Sequence, residues 1–117
     1  MEKSFDVRLL IRSEEFRAYY DSLSIRVKEK YDYVLSILAE QYVVSKKFVK
    51  KIESSDLYEV RVSVGNNEYR TLLFAIDSSS FIACKRVILL NSFLKKDSKQ
   101  YKKAIQKAQT ILTELGI

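Results

Sequence analysis

The 117-residue chain contains no histidine, no proline and no tryptophan, and has only two glycines and one cysteine. Without histidine, the histidine acid–base pair and most familiar metal-ligand sets are excluded, so any chemistry must rest on Arg, Lys, Tyr and carboxylates. Cys84 has no intrachain partner and lies in an apolar stretch, with no histidine to activate it. It reads as a packed thiol in a reduced compartment. No apolar run approaches the ~18 residues that a membrane span needs. Met1-Glu2-Lys3-Ser4 leads straight into an alternating pattern and lacks the apolar stretch of a secretory signal, so a cytoplasmic location is expected. No repeat, low-complexity tract or linker rich in Pro or Gly divides the chain, and residues 1–117 are expected to form one domain.

What is present is ordinary for a globular protein: 47% hydrophobic and 31% charged residues. A chain of this length can bury roughly two-thirds of the surface exposed when unfolded. The charge is uneven. Residues 1–44 carry seven Lys/Arg against eight Asp/Glu, whereas residues 45–117 carry fourteen against seven and hold the whole +6 excess. A basic half of this kind is a footprint for nucleic acid or for an acidic protein.

The spacing of apolar residues predicts the elements. Phe5, Val7, Leu9 and Ile11 alternate with Asp6, Arg8 and Arg12, the period of a half-buried strand. Ser13 followed by Glu14, Glu15 and Phe16 has the form of a helix cap. Phe16, Tyr19, Tyr20 and Leu23 share a face, and after Ser22 to Ser24 a second set runs Val27, Tyr31, Val34, Leu35, Leu38 and Tyr42, predicting a helical hairpin. Lys46 to Ser55 reads as a loop or frayed helix. Tyr58, Val60, Val62 and Val64, a turn at Gly65-Asn66-Asn67, and Tyr69 to Ile76 predict a β-hairpin. Phe81 to Leu90 would add a third strand. A final helix places Tyr101, Ala104, Ile105, Ala108, Ile111, Leu112 and Leu115 on one side, with Gly116 suited to its end. The expected order is β-α-α-β-β-β-α, an α+β arrangement.

Candidate anion-binding residues lie at the ends of these strands. Alternation sets Arg61, with Glu59 and Ser63, opposite the apolar face of its strand. Arg70 shares a face with Leu72, Phe74 and Ile76, and alternation alone does not settle whether it leaves the core. Lys95, Lys96, Lys99, Lys102 and Lys103 crowd the start of the last helix; Lys102, Lys103 and Lys107 read as solvated. Tyr58 and Tyr69 read as sheet-packing aromatics first and as base-stacking platforms second.

The strand Leu57-Tyr58-Glu59-Val60-Arg61, the pair Tyr69-Arg70 and the segment Leu89 to Lys96 before an alanine-containing helix are arranged, in this order, after a strand and a helical hairpin. In this the chain resembles, over nearly its whole length, the RelE/HigB superfamily of toxins from bacterial type II toxin-antitoxin modules, especially its phage-derived branch. The resemblance implies a small RelE-like domain, a mainly antiparallel sheet packed with helices. It implies an endoribonuclease that enters the ribosomal A site and cuts mRNA, with the substrate's own 2′-hydroxyl attacking the adjacent phosphate and no cofactor or metal. Arg61 and Arg70 would then clamp the phosphate. Lys95 or Lys96, crowded by other cations, would act as base or acid. Where the phage-derived branch usually has a Thr-Pro step, this chain has Gln100-Tyr101; Tyr101 would stack on a base or assist proton transfer, or else simply pack in the helix stripe. Lys46, Lys47, Lys50, Lys51 and Lys99 would contact RNA and the ribosome, or an acidic antitoxin. The implied partners are the ribosome, mRNA and a cognate antitoxin of the helix-turn-helix type, with no membrane. The alternative is a non-catalytic RNA-binding or gyrase-inhibiting module with the same fold.

Overall fold

The computed structural model describes residues 6–117. Their elements are β1 (Leu9–Arg12), α1 (Glu14–Asp21), α2 (Ile25–Glu40), β2 (Val49–Lys51), β3 (Leu57–Val64), β4 (Asn67–Ala75), β5 (Arg86–Leu94) and α3 (Lys99–Glu114). The five strands form one mixed sheet in the order β1-β5-β4-β3-β2. The β1–β5 pair is parallel and the other pairs are antiparallel. The α+β class and the predicted order are borne out, with one strand more than expected. None of the helices among the described residues is long and apolar enough to cross a membrane.

Both helices of the hairpin start where a serine can cap them. Ser13 Oγ accepts from the Phe16 N–H at 3.1 Å, and Glu14 and Glu15 sit in the favourable first turn of α1. Ser24 does the same for the Val27 N–H, so the break at Ser22 to Ser24 is the second helix's cap. The hairpin buries Phe16, Tyr31, Val34 and Leu38 against Val60, Val62, Leu73, Val87 and Leu89 of the sheet. Helix α3 covers the opposite face, where Ala104, Ala108 and Leu112 meet Leu57, Leu72, Ile88 and Leu90. Two alanines one turn apart allow α3 to approach the strands closely.

The first strand inverts the expected alternation. Leu9 is 60% exposed and Ile11 36%, whereas Arg8 is buried and Leu10 packs into the hairpin core. Phe5 lies outside the described residues. The cause is a need for donors at the end of α2. Arg8 Nη1 donates to the Leu38 carbonyl at 2.9 Å and also to that of Gln41, Nη2 donates to the Tyr42 carbonyl, and Nε donates to the Phe81 carbonyl at 3.1 Å. A cation at a helix C-terminus is stabilised by the helix dipole, and this guanidinium also lies 3.9 Å from the Phe81 ring centre.

Other departures are local. Tyr42, expected on the apolar face of α2, lies beyond the helix and is 66% exposed. The basic connector contains the short edge strand β2 rather than only loop or helix. The third predicted strand begins at Arg86, not Phe81, and ends at Leu94; the Phe81 to Cys84 stretch forms a turn in which the Cys84 N–H donates to Ser80 O at 3.0 Å. Cys84 is packed as expected, with burial pushing its thiol up from the ordinary range. Leu115 closes α3 but is 51% exposed, and Gly116 takes the positive φ of a helix stop.

One irregularity controls how β5 faces the site. Leu73 pairs with Leu89 and Thr71 with Ser92, so Leu72 alone stands opposite Leu90 and Asn91. This is a β-bulge. Asn91 Nδ2 donates to the Ala104 carbonyl at 3.0 Å, tying the bulge to α3. Beyond it, Ser92 meets Thr71 at 2.7 Å on the hairpin side, and Phe93 turns to the α3 side.

Candidate phosphate-binding site

Arg61 and Arg70 are direct cross-strand partners on β3 and β4. Both lie on the α3 side of the sheet. Two cations opposite each other repel unless an anion lies between them. Glu59, two residues before Arg61 and on the same face, supplies it. Its Oε1 is 3.0 Å from Arg61 Nε and 3.9 Å from Arg70 Nε. Glu68 Oε1 adds a contact of 3.4 Å to Arg70 Nη2.

The two arginines differ in accessibility. The Arg61 side chain is 28% exposed, whereas those of Arg70 and Glu59 are nearly sealed at 4% and 5%. Arg61 therefore leaves the apolar layer as expected, while Arg70 remains in it beside Leu72. The 3.9 Å contact is an ion pair but too long for a hydrogen bond. Arg70 Nε and Glu59 Oε2 are both buried without a hydrogen-bond partner, so the cluster holds an orphaned donor and an orphaned acceptor.

Tyr101, in the first turn of α3, closes one side of this cluster. Its ring meets Phe93 edge-on at 5.3 Å. Burial pushes its hydroxyl pKa up, and the Glu59 carboxylate adds to this, while Arg70 opposes it. The hydroxyl therefore keeps its proton at neutral pH. The Lys95 ammonium stands 6.0 Å from the centre of the Tyr101 ring, and the Lys95 N–H donates to Glu68 O at 2.8 Å.

Gln100, which stands at the departure from the phage-derived pattern, fastens the loop between β5 and α3. Its side chain donates to Leu94 O at 2.9 Å and accepts from the backbone N–H groups of Lys96 and Asp97. Lys96 is exposed and enters this network through its backbone. Lys99 is exposed at the start of α3, its N–H donating to Asp97 Oδ1 at 2.8 Å.

The connector lysines separate into two groups. Lys50 pairs with Glu59 in the β2–β3 register, which puts it on the arginine side of the sheet. Lys51 is on the other side, its ammonium 5.8 Å from the Tyr58 ring centre. Lys47 lies 5.6 Å from the Phe48 ring, and the Lys46 carbonyl accepts from Arg61 Nη1 at 3.4 Å. Tyr58 and Tyr69 pack as expected, against Phe81 and Tyr31. Among the described residues no group of three or more Cys, Asp or Glu side chains could hold a metal.

Of the candidate catalytic residues Arg61, Arg70, Lys95, Lys96 and Tyr101, the structure gathers the two arginines and Tyr101 around Glu59 and sets Lys95 against the Tyr101 ring, while Lys96 is exposed in the loop. Alternation puts Glu59 on the Arg61 face, but nothing in the sequence tells that one carboxylate serves both arginines.

Fold and site together define a RelE-type α+β domain with an arginine pair presented beside the first turn of its last helix. A solved structure with this fold is that of the E. coli toxin RelE in the free state, carrying two arginine-to-alanine changes. The alignment has a TM-score of 0.58 and 17% identity, and covers 86% of this chain and 96% of that one. No curated protein matches the chain. Residues 18–113 match the family described as "Phage derived protein Gp49-like". The chain belongs to this phage-derived Gp49-like family, and its resemblance to the phage-derived branch of the RelE/HigB superfamily is borne out.

Proposed function

We propose that residues 1–117 form one toxin domain of a type II toxin-antitoxin system, a ribosome-dependent and metal-independent mRNA endoribonuclease that inhibits translation in the cytoplasm. The observation that carries this reading is the cross-strand pair Arg61 and Arg70 beside the raised-pKa hydroxyl of Tyr101. In the reaction, the ribose 2′-hydroxyl attacks the adjacent phosphorus, a new P–O2′ bond forms, and the P–O5′ bond breaks to release a 5′-hydroxyl. Arg61, the more accessible guanidinium, meets the non-bridging oxygens as their charge grows. Arg70, nearly sealed beside it, adds positive charge at the site.

Tyr101, which keeps its proton, is suited to donate to the departing 5′-oxygen. Lys95 or Lys96 accepts the 2′-hydroxyl proton, and the position of Lys95 over Tyr101 favours Lys95. If Lys95→Ala and Lys96→Ala each leave single-turnover cleavage on ribosomes unchanged, that assignment fails. Lys46, Lys47, Lys50, Lys51 and Lys99 supply salt-sensitive contacts to RNA phosphates. The neutralising partner is an antitoxin of the helix-turn-helix type, expected from a short adjoining reading frame.

One observation favours a second reading. Glu59 contacts both guanidiniums and offsets their charge, as would suit a non-catalytic RNA-binding or gyrase-inhibiting module. Purified ribosomes translating a defined message separate the two. A cut at the A-site codon, absent from free RNA and from a codon with a 2′-deoxy sugar, supports the nuclease. An intact message, with Glu59→Gln tightening RNA binding, supports the module.

A further inference from the structure

The edge of the sheet away from β1 carries a second surface. Strand β2 is the last strand on that side. Its pairing with β3 uses the Phe48 carbonyl, which accepts from Arg61 N at 2.7 Å, and the Ile52 N–H, which donates to Leu57 O at 3.0 Å. In an antiparallel ladder successive residues alternate in direction. The Lys51 N–H and C=O and the Val49 C=O therefore point away from the sheet.

Beside this edge lies a groove of about 250 Å³. Val49 and Phe81 are buried beneath it, and Val43 and Ile82 stand along it 69% and 54% exposed. Lys46, Lys50 and Lys51 form its rim. Lysines on an edge strand repel a second copy of the same edge but attract an acidic one. RNA phosphates would use the lysines yet leave the aliphatic side chains uncovered. A peptide strand uses both, because its alternate side chains fall to one side while its backbone completes the ladder.

We propose that the open edge of β2 and its groove dock an extended, acidic protein segment with aliphatic side chains at alternate positions. On the toxin reading that segment belongs to the neutralising partner, while the docking itself rests on this surface alone.

The test uses the full chain, isotope-labelled for amide NMR, titrated separately with a synthetic peptide alternating Glu or Asp with Val or Ile and with a short single-stranded RNA. The peptide is expected to move the Val49, Lys51 and Ile82 amides most. Ile82→Asp, at an exposed position, should weaken peptide binding at least about tenfold. Lys51→Pro removes both the ammonium and an outward N–H and should abolish binding, whereas Lys51→Ala, which loses the ammonium but keeps that N–H, should weaken it a few-fold. Unchanged amides elsewhere show that each variant is folded. The proposal is overturned if millimolar peptide leaves these amides unmoved, or if Ile82→Asp and Lys51→Pro bind as the parent does. It is also overturned if RNA alone occupies the groove. Ribosomal cleavage is read separately, so failure of the nuclease reading leaves this result standing.

Discussion

Glu59 determines what each arginine is worth. It is buried, and its charge is compensated by Arg61 at 3.0 Å and Arg70 at 3.9 Å. Arg70→Ala would leave it short of a buried partner and should destabilise the chain by about 3–5 kcal/mol in urea unfolding. Arg61→Lys keeps the charge at the more open position, so stability should change by no more than about 1 kcal/mol. Single-turnover cleavage should nevertheless fall about 10²- to 10³-fold, because one ammonium cannot reproduce a guanidinium fork on a phosphate. Tyr101→Phe retains the edge-on packing with Phe93 and removes only the hydroxyl. It should preserve stability while slowing cleavage by about 10²-fold or more; an unchanged rate would return Tyr101 to a packing role.

Among the elements, the helical hairpin is joined to the sheet by hydroxyl groups. Tyr31 OH lies 3.2 Å from Tyr19 OH and 2.9 Å from Thr71 Oγ1, which in turn meets Ser92. Burial raises the pKa values of Tyr19 and, more strongly, Tyr31. A group whose folded pKa is raised contributes fully below its unfolded value and loses that contribution as pH rises. Stability measured by urea unfolding should therefore hold up to about pH 10.0 and decline above it, less steeply in Tyr31→Phe. At the other end of α2, Arg8→Met would leave several carbonyls without their donor and should cost at least about 2 kcal/mol. These elements also show what the sequence made legible. Alternation in β3 correctly put Tyr58, Val60, Val62 and Val64 inward and Arg61 outward, because that strand is regular and lies between two others. The same rule failed in β1, where Arg8 is drawn inward by the end of α2. It had too few residues to detect β2, and the third strand, read as an apolar run from Phe81 to Leu90, lies at Arg86–Leu94 because Phe81 to Cys84 turns.

At the scale of the molecule, the excess positive charge belongs to the part of the chain that builds both the arginine site and the β2 edge. These are neighbouring places: Lys50 stands opposite Glu59, and the Lys46 carbonyl accepts from Arg61. A partner seated on β2 would thus lie next to the arginine pair. On the proposed function, Arg61 and Arg70 act on mRNA held by the ribosome. The most direct measurement is translation of a defined message by purified ribosomes with the wild-type chain and with Arg61→Lys, mapping message ends and their chemistry. The expected result is a cut within the A-site codon, a 5′-hydroxyl on the downstream fragment, little cutting of free RNA and a severe loss with Arg61→Lys. An intact message, or equal cutting with and without ribosomes, would contradict it.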